Sequence, residues 1–174
     1  MRFKMDKKWL LVAGLALTAA VIGLAGCETP PAEVSSFNLI FKYGVMAKNE
    51  LNTFDGTYTK DMVMDPSITI NLSLTEAELD RIYQKMVEID FFDYPEEFSV
   101  PVEEGGLVTM VTPYSSYYIK VEHDSTIKEL RWEDEIKNEN KEADKLRELI
   151  QLIRDIIESK EEYKELPSPT SGYM

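Results

Sequence analysis

The apolar positions of this chain switch between two periods, and the switch outlines the fold. In "FNLIFKYGV", Phe37, Leu39, Phe41, Tyr43 and Val45 fall on one face, with Asn38 and Lys42 on the other. That alternation predicts a half-buried strand. In "NELNTFDGTYTKDMV", the tight-turn pair Asp55-Gly56 separates two strand-like arms and predicts a hairpin. "SITINL" sets Ile68, Ile70 and Leu72 on a common face. The period then lengthens. Thr75 stands three residues before Glu78, the spacing of a capping box. Leu79, Ile82, Tyr83, Met86 and Ile89 follow at helical spacing. The pattern predicts an amphipathic helix ending near Asp90 and before Pro95.

From Asp93 to Gly106 no period holds, and the segment carries two prolines and two glycines. "LVTMV" (107–111) reads as a short strand. "SYYIKVEHD" and "TIKELRW" read as a hairpin around Asp124-Ser125, with Tyr117, Ile119 and Val121 on one face. In the second arm Leu130 and Trp132 share a face but Ile127 has the opposite parity. This predicts either a bulge or a strand buried on both sides. "NKEADKLRELIQLIRDIIESKEEY" carries the strongest stripe, Ala143, Leu146, Leu149, Ile150, Ile153, Ile156 and Ile157, and predicts a long helix covering the sheet. Pro167 and Pro169 block its continuation. Strands, helix, strands, helix is the order of an α+β fold. The expectation is a largely antiparallel sheet with two main helices packed on one face.

The N-terminus has its own logic. Arg2, Lys4, Lys7 and Lys8 precede an uncharged run from Trp9 to Ala25, the layout of a secretory signal peptide. That run closes on Leu24-Ala25-Gly26-Cys27, which holds the chain's one cysteine. These four residues resemble the lipobox of bacterial lipoproteins. The resemblance covers the first 27 residues and implies a diacylglyceryl group on the Cys27 thiol, with cleavage before Cys27. The globular part is similar to small bacterial lipoproteins, a likeness that implies no activity. The expected domains are a signal peptide (1–26), a lipidated N-terminus and tether (27–36), one globular α+β domain (37–166) and a mobile tail (167–174). "ETPPAEVSS", in extended polyproline geometry at ~3.1 Å per residue, reaches roughly 28 Å. The implied location is outside the cytoplasm. It is the outer face of the membrane in a Gram-positive cell. In a Gram-negative cell it is the outer membrane, since Glu28, not Asp, follows Cys27.

Charge narrows the partners. The whole chain has 19 Lys and Arg against 32 Asp and Glu; residues 1–26 hold four of the basic groups and one acid, which leaves the remainder at a formal −16. Such a surface repels nucleic acid and anionic headgroups. With no basic patch interleaved with aromatics, nucleic-acid binding is excluded as an expectation. The expected partners are the membrane, through lipidated Cys27, and a protein or a cell-envelope component.

Candidate chemistry is sparse. His123 is the one histidine, and it reads as a partly exposed structural residue at a hairpin end. With Cys27 committed to lipid, no Ser-His-Asp or zinc constellation assembles from the sequence. Asp90, Asp93, Glu96 and Glu97 are weak candidates for a cation site, although no EF-hand loop is present. No metal and no cofactor are expected. Core and rim packing account for many of the aromatics. Tyr94, Phe98, Tyr114 and Tyr118 also read as a candidate interaction surface, where the long loop after the first helix meets the later strands. The sequence thus favours a membrane-anchored, non-catalytic interaction module of the cell envelope. The alternatives are a lipoprotein that binds or senses a small ligand or cation, or a carboxylate-based envelope hydrolase. A ligand binder requires a concave pocket lined by these aromatics; an interaction module requires a shallow exposed patch and no pocket.

Overall fold

In β1 (Phe37–Tyr43) every second side chain is buried, and the rest of the molecule is arranged around that apolar face. The computed structural model describes residues 37–173. The lipobox with Cys27, the signal segment 1–26 and the tether 27–36 lie outside the described residues. β1 pairs antiparallel with β2 (Asn49–Asn52) on one side and with β6 (Ser116–His123) on the other. β3 (Thr57–Met62) and β4 (Asp65–Asn71) extend the sheet beyond β2. β7 (Thr126–Glu133) pairs antiparallel with β6, and the two-residue β5 (Glu97–Phe98) adds to β7 in parallel. The order is β4-β3-β2-β1-β6-β7-β5. The fold is α+β, with a largely antiparallel sheet.

α1 (Glu76–Glu88) starts at a complete capping box, the Thr75 hydroxyl accepting from the Glu78 N–H and the Glu78 carboxylate accepting from the Thr75 N–H. α2 (Lys141–Ser159) starts at Asn140, whose side chain accepts from the Ala143 N–H. All seven residues of its predicted stripe are buried. A short α3 (Glu161–Lys164) follows. α1 and α2 run antiparallel, tied at one end by Lys85–Glu148 (2.8 Å) and at the other by Lys160–Glu78 (2.5 Å). Their apolar faces and one face of the sheet form a single core. The described residues, 37–173, belong to one compact unit built on that core, so this part has what independent folding requires.

Two expectations are corrected. The β6–β7 register runs unbroken from Ser116↔Glu133 to His123↔Thr126, so there is no bulge. Ile127 is 55% exposed, on the uncovered face of the sheet, so the strand is not buried on both sides either. "LVTMV" is not a strand. Among its residues only Met110 forms a bridge, to Ile136, and Asn138 holds the run in place. The Asn138 side chain accepts from the Thr109 N–H and donates to the Leu107 carbonyl, both at 2.8 Å. In the described part of the 167–174 segment, the Thr170 hydroxyl donates to Asp65, and the Tyr173 hydroxyl donates to Asp61 and accepts from Lys48.

At the β2–β3 side of the core, the Tyr43 and Tyr58 hydroxyls meet at 2.7 Å in a buried pair. Burial, before any charge effect, pushes Tyr43 up to about 12 and raises Tyr58 further. Tyrosines of the unfolded chain ionise near pH ~10. Above that pH the unfolded state loses these protons first, so it binds fewer protons than the native state and stability falls as pH rises. Below pH ~10 the pair contributes fully. Ultraviolet titration of tyrosinate should therefore find two tyrosines silent until the protein unfolds in alkali. Ionisation of all nine tyrosines near pH ~10 in folded protein would contradict this.

Candidate functional site

The four aromatics expected to form an interaction surface are strung along one side of the molecule rather than gathered in one patch. Tyr94 is corrected first: it is buried, with 8% of its surface exposed. Its ring packs against Phe91 and Phe98, and its hydroxyl donates to the Glu142 carbonyl at 3.0 Å. Desolvation, then the Glu142 and Asp90 carboxylates, push its ionisation up. Lys128 donates to the Tyr94 carbonyl. Tyr94 is thus an anchor that pins the post-α1 loop to α2 and β7.

Phe98 is half-buried and stands edge-on to Trp132, with ring centres 5.4 Å apart. Trp132 reaches the covered face because β7 alternates, and on that face the Arg147 guanidinium lies 5.3 Å from its ring. Tyr118 is one residue out of phase with Ile119 and projects from the uncovered face, where Arg131 lies 5.1 Å from its ring. Partial burial and the Glu129 carboxylate raise its ionisation. Tyr114 sits two residues before β6 and donates to Glu133 at 3.3 Å. The Glu133 charge is the main cause of its raised pKa.

Three concavities connect these residues. One of about 270 Å³ lies between Ile89, Tyr94, Phe98 and Lys145. Phe98 is shared with the next, of about 460 Å³, floored by Val100 and Trp132. Ser116 and Glu133 are shared in turn with a third of about 520 Å³, walled by Met46, Pro113 and Tyr114. Gly44 shapes that last wall. Its φ of 89° is in the region that favours glycine, and a Cβ there would meet Asn49 Nδ2 at 2.8 Å. The turn at Val45–Ala47 follows, and the Gly44 carbonyl accepts from the Ser116 N–H at 2.9 Å.

Several large apolar side chains with no place in the expected surface are exposed. Leu107 is 95%, Met46 72% and Met110 60% exposed, with Val102, Val108 and Val111 exposed nearby in sequence. The sequence signal was present: an apolar run between Gly105-Gly106 and Pro113. It read as a short strand over 107–111 instead.

The cation candidates do not assemble. Glu97 pairs with Arg131 at 3.3 Å, the Glu96 carbonyl accepts from the Arg131 N–H, and Asp90 and Asp93 line the smallest concavity beside Lys145. Among the described residues no three His, Cys, Asp or Glu side chains converge on a metal site. His123 stacks on Tyr83 at 4.5 Å, with Asp124 3.5 Å from its Nδ1. It lies at the Phe37 end of the sheet, the end away from Tyr114 and Ser116. Among the described residues no helix is long and apolar enough to cross a membrane. Comparison of the chain with protein-family models, with curated proteins and with solved structures returned no match.

Proposed function

We propose that the chain is a membrane-anchored extracytoplasmic lipoprotein, held through lipidated Cys27, whose folded domain is a non-catalytic interaction module of the cell envelope. The observation that carries the module reading is the exposure of large apolar side chains on two segments that reach the third concavity: Met46, which lines it, and Leu107 and Met110, in the run that leads into its Thr112 and Pro113. Side chains of this kind cost free energy in water unless a partner covers them, and clustered ones mark interaction sites. Met46 and the entry of the chain are at opposite ends of the sheet. The chain enters at Phe37, paired with His123, while Val45 and Met46 follow Tyr43 at the far end. β1 separates the two by about 20 Å. A tether joined at Phe37 would leave Met46 and the concavity it lines free to meet a partner. An enzymatic reading lacks support here, because His123 is packed on Tyr83 away from the three concavities. The expectation that a module would show no pocket is not met: Tyr94, Phe98, Tyr118 and Tyr114 line the three concavities, and this favours small-ligand binding as a second reading.

Two results test the proposal in cells. Cys27→Ser protein should leave the membrane fraction or persist as unprocessed precursor; processed, membrane-bound Cys27→Ser protein would refute the lipid anchor. A photo-crosslinking residue placed at Leu107 should give a discrete protein adduct, and the same residue at Ile127, on the uncovered sheet face, should not. Absence of any adduct from Leu107 would refute the module.

A further inference from the structure

We infer that the three concavities act as one groove for an extended, basic segment of a partner protein, its apolar side chain seated on Phe98 and Trp132. The inference rests on the interaction-module reading and adds the chemistry of the partner. Continuity is the first argument. Each concavity shares a lining residue with the next, Phe98 in one case and Ser116 with Glu133 in the other. The result is a trough along the β5–β7 side rather than a single cup. An extended chain fits a trough, with side chains alternating between floor and rim.

The floor is apolar. Val100 and Trp132 are buried at its base and the half-buried Phe98 stands edge-on to Trp132. A desolvated aromatic floor is the usual seat of an anchoring side chain.

The rim decides the sign of the partner. Six carboxylates line the trough against two basic side chains, Arg131 and Lys145. Arg131 is already paired with Glu97 and Glu129. Among the described residues, Asp90, Asp93, Glu133, Glu135 and Glu142 have no Lys or Arg within 4.0 Å. Unpaired like charges along a groove repel one another and attract a cationic ligand, raising its rate of encounter and rejecting anionic competitors. An acidic rim alone would draw any cation. The apolar floor beneath it adds the requirement for a greasy side chain between the basic ones.

Residues 28–174 serve as the test protein. A fluorescein-labelled peptide alternating lysine with leucine is titrated against it, and a peptide alternating glutamate with leucine is the control. The lysine peptide should bind and the glutamate peptide should not. Glu133→Lys with Glu135→Lys should weaken binding about tenfold or more. Glu161→Lys with Glu162→Lys makes the same change of charge on α3, away from the groove, and should leave affinity within about twofold. Phe98→Ser, checked for a native circular dichroism spectrum, should also weaken binding. No binding of the lysine peptide would overturn the inference. Equal weakening by the two double variants would overturn it as well, since net charge alone would then be acting. If the Leu107 cross-link forms in cells while the lysine peptide fails to bind, the module stands and its partner has another chemistry. Loss of both results removes both readings.

Discussion

Asp134→Ala should destabilise the domain by about 2–3 kcal/mol. Asp134 is the one buried charged side chain among the described residues, 4% exposed. It follows β7 directly and receives three contacts from two cations: Arg147 Nη2 at 2.7 Å, Arg147 Nε at 3.3 Å and Lys137 Nζ at 2.5 Å. The Asp134 carboxylate is the first cause holding Arg147 above its ordinary pKa. Arg147 belongs to α2, so the cluster fastens the start of that helix to the end of β7. Removing one member of a buried ion pair costs ~3–5 kcal/mol, because the other charge stays desolvated and alone. The figure is lower here. Arg147 keeps Asp144 at 2.7 Å and has 29% of its side chain in water. For a domain of this size the loss corresponds to a fall in melting temperature of roughly 10 °C. The cluster also lies behind Trp132, with Glu133 and Glu135 on either side of Asp134 in sequence. The same variant should therefore loosen the groove floor, visible as a red-shifted tryptophan emission in protein that is still folded. A urea-unfolding change under about 0.5 kcal/mol, the ordinary scatter of surface substitutions, would show that the cluster contributes little.

Phe41→Ala should cost more, about 3–5 kcal/mol, the usual range for a buried phenylalanine. Phe41 is fully buried in the central strand. Leu51 and Ile119 flank it across the two ladders, and Tyr43 stacks on it at 5.0 Å. Domains of this kind are stable by about 5–15 kcal/mol in all, so the variant should be partly unfolded at modest urea concentration. Ile40→Ala, one residue away, is the control. Ile40 is half-buried on the uncovered face, between Asn52 and Lys120, and its truncation should cost roughly 1 kcal/mol or less, in keeping with sites away from the core. The contrast tests the register directly, because a slip of one residue exchanges the two faces. Equal costs at the two positions would mean that the faces are wrongly assigned.

Much of the scaffold was readable because each long element buries one face and so imposes its own period. The β1 alternation, the Thr75–Glu78 capping box and the α2 stripe each needed no knowledge of a distant residue. Ile127 and the 107–111 run misled for the opposite reason. An apolar side chain shows its pattern whether or not anything covers it, and coverage is a property of neighbours. Tyr94 was read as surface because its loop is irregular, yet the carbonyl of Glu142, 48 residues away, receives its hydroxyl.

The sequence by itself determined the lipobox resemblance, the acidic balance, the α+β class and the faces of β1 and α2, since local spacing and composition carry all of these. The tertiary structure alone decided that Phe98, Trp132, Glu133 and Met46 line adjoining concavities. β5 pairs in parallel with β7 across a separation of more than thirty residues, and the Gly44 turn meets Ser116. Such juxtapositions come from long-range pairing and a shared core, and no local pattern of apolar and polar residues encodes them.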